Sequence, residues 1–351
     1  MDIYVLNKAF EPIAVIDALE SVIWTDRYRE CGDFELYSPM TEALKYITIG
    51  SYLSRKDSEH LMIVERFDIT TSEEEGNHVT ITGRSLESIL DRRIAWGQTI
   101  LSGNFQTAIK KLLTDNIINP AIAERKIPNF IFEDSTDSRI TSLEIEAQYF
   151  GENIYDIIFA ICEEQDLGFK ITLNANKQFV FKLYFGTDRS FDQTAVPYVL
   201  FSPSFENLLN SSYSMDYQGF KTSVLVGGEG EGTDKRLTSV EYEQYEGLDR
   251  RELYVEASDI SSNNGEITAA EYDAQLEQRG FETLAEYESY PVFDGELDTT
   301  LSYKYGTDFF MGDIVQVENE YKMQGKCRVT EMIMSENGEG IKNYPTFSAI
   351  Q

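Results

Sequence analysis

The sequence predicts an α+β protein built mainly from antiparallel sheet, on three observations. Short β-branched and aromatic runs broken by turn residues make up roughly a dozen candidate strands. Helical periodicity of 3.6 surfaces at only three or four places. The hydrophobic fraction of 42%, with 13% aromatic residues, excludes a disordered chain. At 351 residues the chain is long enough for two or three domains with their own cores, so neither disulfides nor metals are required for stability.

Up to about residue 84 the text is strand-like, with turns at Asn7-Lys8, Cys31-Gly32-Asp33 and Gly50-Ser51. Its best hairpin joins Leu61–Ile69 to His78–Arg84. There Leu61, Ile63, Phe67 and Ile69 are expected to share one face opposite Val79 and Ile81, with the acidic stretch 73–77 as the loop. A helix follows, with Phe105, Ile109, Leu112, Leu113 and Ile117 as its apolar stripe and Asn119-Pro120 as its end. A second runs near Glu152–Asp166 with Ile154, Ile157, Ile158, Ile161 and Cys162 inward, and Gly168 is expected to supply its left-handed stop. Lys170–Leu173 and Phe179–Phe185 then flank the turn 174–177 as a hairpin.

The strand Lys221–Val226 runs into the glycine-rich boundary 227–232, where composition shifts. Residues 229–298 contain 20 acidic and 5 basic residues, about half the net charge of the chain, and are expected to face solvent or a lumen. Within them Thr268-x-x-Glu271 is a capping box, with Ile267 and Tyr272 placed as a staple. A stop is expected at Arg279-Gly280, and Thr283-x-x-Glu286 is expected to start another short helix. The tail returns to strand at Asp313–Val317 and Lys326–Met334.

The net charge of −31, from 61 acidic and 30 basic residues, opposes tight binding to nucleic acid, since phosphate contacts need clustered Lys and Arg. An acidic wall beside DNA would act as a non-stick surface. Three cysteines, Cys31, Cys162 and Cys327, are odd in number and far apart, so they form neither a disulfide framework nor a zinc site and read as isolated buried thiols. The start of the chain has no basic stretch followed by an apolar one, and no run of ~18 apolar residues occurs. Neither an export signal nor membrane insertion is therefore expected.

Motifs for chemistry are sparse. His60 and His78 lie near opposite ends of the proposed hairpin without HExxH or a Cys partner. The glycine run lacks GxxxxGK[ST], and its glutamates would repel phosphate. Residues 260–271 resemble the second half of a calcium loop, with Gly265, Ile267 and Glu271 in register. Its first position is Ile260 rather than Asp, and Glu271 already serves the cap. No GxSxG elbow occurs, and 61 acids guarantee carboxylate pairs by chance. No catalytic residue, metal ligand or cofactor is therefore assigned. Arg84-Ser85-Leu86-Glu87-Ser88-Ile89-Leu90-Asp91-Arg92-Arg93 is the most basic point of the chain. Its arginines either pair with nearby carboxylates or lie at a subunit interface, the latter reading singling out Arg84, Arg92 and Arg93.

Several motifs follow one another in order: Gly32-Asp33-Phe34-Glu35-Leu36, Gly83-Arg84-Ser85-Leu86 leading to Leu90-Asp91-Arg92-Arg93-Ile94, and Leu276-Glu277-Gln278-Arg279-Gly280 with Leu284-Ala285-Glu286-Tyr287. The series ends in Tyr305-Gly306-Thr307-Asp308-Phe309-Phe310-Met311-Gly312-Asp313-Ile314-Val315 and Arg328-Val329-Thr330-Glu331. This order resembles the N-terminal hub region of siphophage tail-tip and tail-associated lysozyme proteins. The resemblance spans essentially the whole chain. It implies the fold of the contractile-tail baseplate hub: two β-barrel domains of interrupted sequence, 1–100 with 205–232 and 101–204 with 291–351, and an acidic helical insertion at 233–290. It further implies a structural protein, not an enzyme, that forms a ring-shaped homotrimer in the virion tail tip after synthesis in the bacterial cytoplasm. The implied contacts are a distal tail protein, a tape-measure protein and the tail tube, with DNA passing through unbound. Some relatives carry a cell-wall-cleaving or receptor-binding module after the hub; this chain stops soon after Phe347, so none is expected on it. Alternatives of other classes are a tail-associated cell-wall hydrolase and a glycan-binding adhesin using its tyrosines, neither with a motif in its favour.

Overall fold

A computed structural model describes all residues except 1, 18, 40–42, 74–75, 243, 298–302 and 351. The first stretch supplies β1 (Ile3–Leu6), β2 (Pro12–Ile16), β3 (Ser21–Arg27), β4 (Asp33–Pro39), β5 (Tyr52–Arg55), β6 (Leu61–Ser72) and β7 (Gly76–Ser85). The middle supplies β8 (Gln98–Asn104), α1 (Phe105–Leu113), β9 (Phe130–Glu133), α2 (Ser138–Thr141), β10 (Glu144–Phe150), α3 (Ile154–Glu164), β11 (Gly168–Leu173) and β12 (Phe179–Tyr184). Then come β13 (Leu200–Phe201), β14 (Leu208–Ser214), β15 (Ser223–Gly227), β16 (Leu237–Glu241), β17 (Glu252–Glu256) and α4 (Ala269–Ala285). The chain closes with β18 (Val292–Leu297), β19 (Ile314–Glu318), β20 (Gln324–Asn337) and β21 (Gly340–Ala349). The mainly β class stands, with more strands than the sequence pattern suggested.

One 13-stranded sheet dominates, in the order β14-β18-β21-β20-β3-β4-β7-β6-β5-β1-β2, with β19 beside β20 and β13 beside β19. Its pairs are antiparallel apart from β13 with β19. The long strand β20 decides the architecture. A bulge after Val329 lets it serve β21 throughout, β19 at its start and β3 at its end. The C-terminal strands thus join the N-terminal sheet, rather than residues 101–204 as the resemblance implied. Among the described residues, only the end of that stretch pairs with the sheet, through Asp188 beside Ile314 and β13 beside β19. Residues 205–232 also divide. β14 enters the large sheet, while β15 forms a three-stranded sheet with β16 and β17. The described pairings leave β2 and β14 as open edges, so they do not close the two barrels that were implied.

Three cores result. The first lies on the large sheet around Trp24, Phe34, Leu36, Ile81, Phe201, Val329 and Phe347. The second fills the middle stretch, where α1 contributes Phe105, Ile109, Leu112 and Leu113, and α3 contributes Ile154, Ile157, Ile158, Ile161 and Cys162. Both helices start on an asparagine cap: Asn104 accepts from the Thr107 N–H and Asn153 from the Tyr155 N–H. The third core joins Val224, Val226 and Val240 of the small sheet to Tyr272, Leu276 and Leu284 of α4.

Strand β6 lies between the first two cores. Leu61 and Ile63 enter the middle core while Met62 and Val64 enter the sheet core. A bulge between Val64 and Arg66 then changes the facing, so Phe67 packs on the sheet core and Ile69 is exposed. The single-faced stripe expected at 61–69 is corrected by that bulge. The expected loop of this hairpin includes residues 74–75, which lie outside the described residues.

Two glycines act differently from expectation. The left-handed residue ending α3 is Asp166, at φ 48°, and not Gly168. Gly168 is needed for proximity, because a Cβ there would lie 2.3 Å from the Tyr28 ring. Gly280 does not stop a helix: α4 runs through it, and its missing Cβ admits Val240, whose Cγ2 would otherwise lie 2.6 Å away. Burial of this face against β15 and β16 outweighs the ~1 kcal/mol intrinsic penalty of a helical glycine.

Candidate functional site

The arginine-bearing segment lies where β7 leaves the large sheet and turns through a 3₁₀ helix, Leu86–Arg92, into the middle body. Buried Glu87 pins the turn by accepting from the Ser85 hydroxyl and from the Ile171 N–H at 2.6 Å. Arg84 holds Glu65 with two hydrogen bonds, at 2.8 and 3.1 Å, and reaches Asp91 at 3.1 Å. The Glu65 hydrogen bond leads the effects that raise its pKa. This is the bidentate pairing anticipated for an arginine at this point. Arg92 and Arg93 part from it. Arg92 is exposed, and Arg93 donates to the carbonyls of Arg125 and Arg92, at 2.7 and 2.8 Å.

Residues missed by the sequence reading complete this corner. The Arg125 guanidinium lies 4.9 Å from the Trp96 ring centroid and donates to the Ile94 carbonyl and to Asn116 Oδ1. Burial and the like charge of Arg93 lower its pKa. Of the two tryptophans, Trp24 is fully buried and Trp96 is 62% exposed. The available signal was a tryptophan four residues beyond Arg92 and next to Gly97, with no apolar periodicity to bury it.

Two polar joints connect the three bodies. At the first, Tyr28 of the large sheet lies against Gly168 and Gly312, and its hydroxyl reaches the carbonyls of Asp166 and Tyr184 at 3.2 and 3.3 Å. Arg328 donates to Asp166 and to the Gly312 carbonyl, and Arg29 also holds Asp166. Burial pushes the Tyr28 hydroxyl up to about 12. A cleft of about 670 Å³ opens beside this joint, lined by Arg27, Arg29, Glu163, Asp166, Arg328 and Glu331, among others. Arginines hold Asp166 and Glu331, and Glu163 is raised to about 7 by burial.

At the second joint α4 packs on β10. Glu282 accepts from the Tyr149 hydroxyl, Arg279 pairs with Asp259 at 2.9 Å and lies 3.4 Å from Glu152, and Gln148 donates to Gln275 at 3.0 Å. Burial raises Glu282 to about 7, against the opposing pull of Tyr149 and Arg279. The calcium-loop-like stretch lies alongside. Ser261 and Ser262 donate to Glu229, and Glu271 closes the capping box with Thr268.

His60 and His78 are separate, near Glu87 and Glu20 respectively, and all three cysteines are free and buried. Among the described residues no cluster of His, Cys, Asp and Glu is grouped to hold a metal ion, and no helix is long and apolar enough to cross a membrane.

The chain belongs to the family described as Siphovirus ReqiPepy6 Gp37-like protein, whose model matches residues 2–347. No curated protein matches it. Its fold is shared with three solved prophage or tail proteins. The 43 kDa tail protein of prophage MuSo2 from Shewanella oneidensis superposes with a TM-score of 0.60 at 11% identity, covering 99% of this chain and 98% of that one. The tail protein from Neisseria meningitidis MC58 gives 0.57 at 12%, covering 99% and 96%. Prophage tail protein gp18 from Listeria monocytogenes EGD-e gives 0.54 at 12%, covering 99% and 94%.

Proposed function

We propose that the chain is a structural subunit of a phage or prophage tail tip, a hub that forms a ring-shaped homotrimer, closes the tail tube and anchors neighbouring tail proteins. The observation that supports this most is the fold shared with prophage tail proteins over almost the entire length of both chains. The large sheet supplies a surface suited to assembly. Edge strand β2, Pro-Ile-Ala-Val-Ile, carries no charge and exposes Ile13 and Val15, whereas β14 at the other edge is broken by a bulge and a left-handed Asn210. In this reading the three cores mark three domains: the large sheet, the middle body and an acidic insertion that starts near β15. Arg84, Arg92 and Arg93 lie at the subunit interface, and the partners are the distal tail and tape-measure proteins. The charge of −31 suits a lumen through which DNA passes without binding.

Light scattering on the purified chain across ionic strength and concentration tests the reading. The expected mass is that of three copies under at least some conditions, with a dependence on salt. A monomer under every condition overturns the ring. Antibody labelling of assembled tails should mark the tip, and labelling along the tube or none overturns the location.

A further inference from the structure

In a chain with twice as many acids as bases, an arginine without a carboxylate is unusual. Arg27, Arg29, Arg55, Arg66, Arg84, Arg139, Arg189, Arg236, Arg250, Arg279 and Arg328 each pair with at least one. Arg92, Arg93, Arg125 and Arg251 have none within ion-pair distance among the described residues; Arg93 and Arg125 meet at one corner, with exposed Arg92 next to Arg93 in the chain, while Arg251 lies in the acidic body and donates to the Tyr217 carbonyl. The nearby acids Asp91 and Glu152 are committed to Arg84 and Arg279, which leaves exposed Glu124, next to Arg125 in the chain, and exposed Asp156, near Asp91, as neighbouring counter-charges.

The same corner exposes apolar surface. Trp96 and Phe150 are 62% and 60% exposed, and Ile94 and Ile122 are also open. Trp96 and Phe150 flank one backbone crossing, where the Ala95 N–H donates to Glu152 and the Gly151 N–H to Ala95. The Trp96 backbone N–H is further held by Asn116 Oδ1 at 3.2 Å. An exposed Trp on a pinned backbone, with the Arg125 guanidinium over its ring, has the composition of an interface anchor.

The acidic body presents a counterpart. The turn Glu246-Gly247-Leu248-Asp249 holds Leu248 at 101% relative exposure, the most exposed large apolar side chain described, between the exposed carboxylates Glu246 and Asp249. Neither carboxylate has an ion-pair partner among the described residues. An apolar tip between two acids without ion pairs matches an apolar platform beside arginines without carboxylates in both charge and chemistry.

We propose that the Arg92–Arg93–Trp96–Arg125 corner of one copy receives the Glu246–Asp249 turn of the next copy, with Leu248 against Trp96. The contact joins two different surfaces, so it runs head to tail and can close into a ring. It rests on the homo-oligomer reading above and names the surfaces that make it.

The test uses the full chain. In isotopically heavy protein, Glu124→Cys, exposed next to Arg125 with Trp96 intact, carries a benzophenone maleimide, the native cysteines being buried. After mixing with light protein, irradiation should cross-link heavy position 124 to light residues in or beside 246–249. Cross-links solely within one copy, or to other segments of the second, overturn the proposal. In sedimentation, Arg92→Glu with Arg93→Glu should weaken self-association by about tenfold or more, Leu248→Ser should weaken it too, and Glu246→Lys with Asp249→Lys should restore the charge-reversed chain. Circular dichroism melts check that each variant folds. Wild-type trimers that the variants leave unchanged overturn this contact alone, while a wild type monomeric under every condition overturns the ring and the contact with it.

Discussion

The two joints between the bodies solve the same problem by opposite means. At the first, Tyr28 meets two glycines at a spacing that no side chain could share, and Arg328 and Arg29 both hold Asp166 around it. At the second, α4 brings a carboxylate, Glu282, into full burial beside Tyr149, with Arg279 shared among Asp259, Glu152 and Glu282. Shape fixes the first and a polar network fixes the second. The acidic body should therefore be the part whose attachment responds to pH, while the large sheet and middle body stay locked.

The strongest test removes the shared cation. Arg279→Leu leaves buried carboxylates uncompensated and should cost about 3–5 kcal/mol in urea unfolding, with hydrogen exchange rising first in residues 222–288. Equal loss of protection in all three bodies would erase the contrast. Gly312→Ala attacks the first joint, where φ is +84° and a Cβ would lie 2.4 Å from the Tyr28 ring. Overpacking with left-handed strain should cost about 3 kcal/mol, part of it relieved in a Tyr28→Leu background.

Titration separates the joints further. Because Glu282 in the fold sits at about 7, above its ordinary 4.5, its contribution is complete below pH 4.5 and is lost as pH rises through 7. The Glu282 share of the fall in stability across that window should be about 3 kcal/mol, and Glu282→Gln should remove that share of the slope. Glu163, also near 7 beside the first joint, leaves a residue of slope in that variant. A Glu282→Gln chain with an undiminished slope would show that Glu282 is not the group responsible. The smallest effect belongs to Tyr28→Phe, which keeps the ring and loses its hydroxyl bonds to two carbonyls, for about 1 kcal/mol with unchanged pH dependence.

Local devices were legible in the sequence. The Thr268–Glu271 box, the stripes of α1 and α3, and the hairpin around 174–177 depend on neighbours a few residues apart, so composition displays them. Arg84 was legible for a similar reason, since an arginine among acids finds a fork-shaped partner. What remained hidden depends on distant chain. Gly168 and Gly280 read as helix stops until Tyr28 and Val240 arrive against them. Strand β21 contains Pro345 and few β-branched residues, so only its pairing with β20 identifies it. Trp96 and Arg125 lie 29 positions apart, and no pattern links them.

The pairing of β20 with β3 has a consequence for biosynthesis. Glu331 lies opposite Arg27 in the ladder and bonds it at 2.7 Å, across 304 positions of chain. A growing polypeptide therefore exposes one flank of β3 until β20 has left the ribosome, and loop closure over so long a separation makes that step slow. Products terminated before β20 would retain an uncovered edge and stay open to chaperones and proteases.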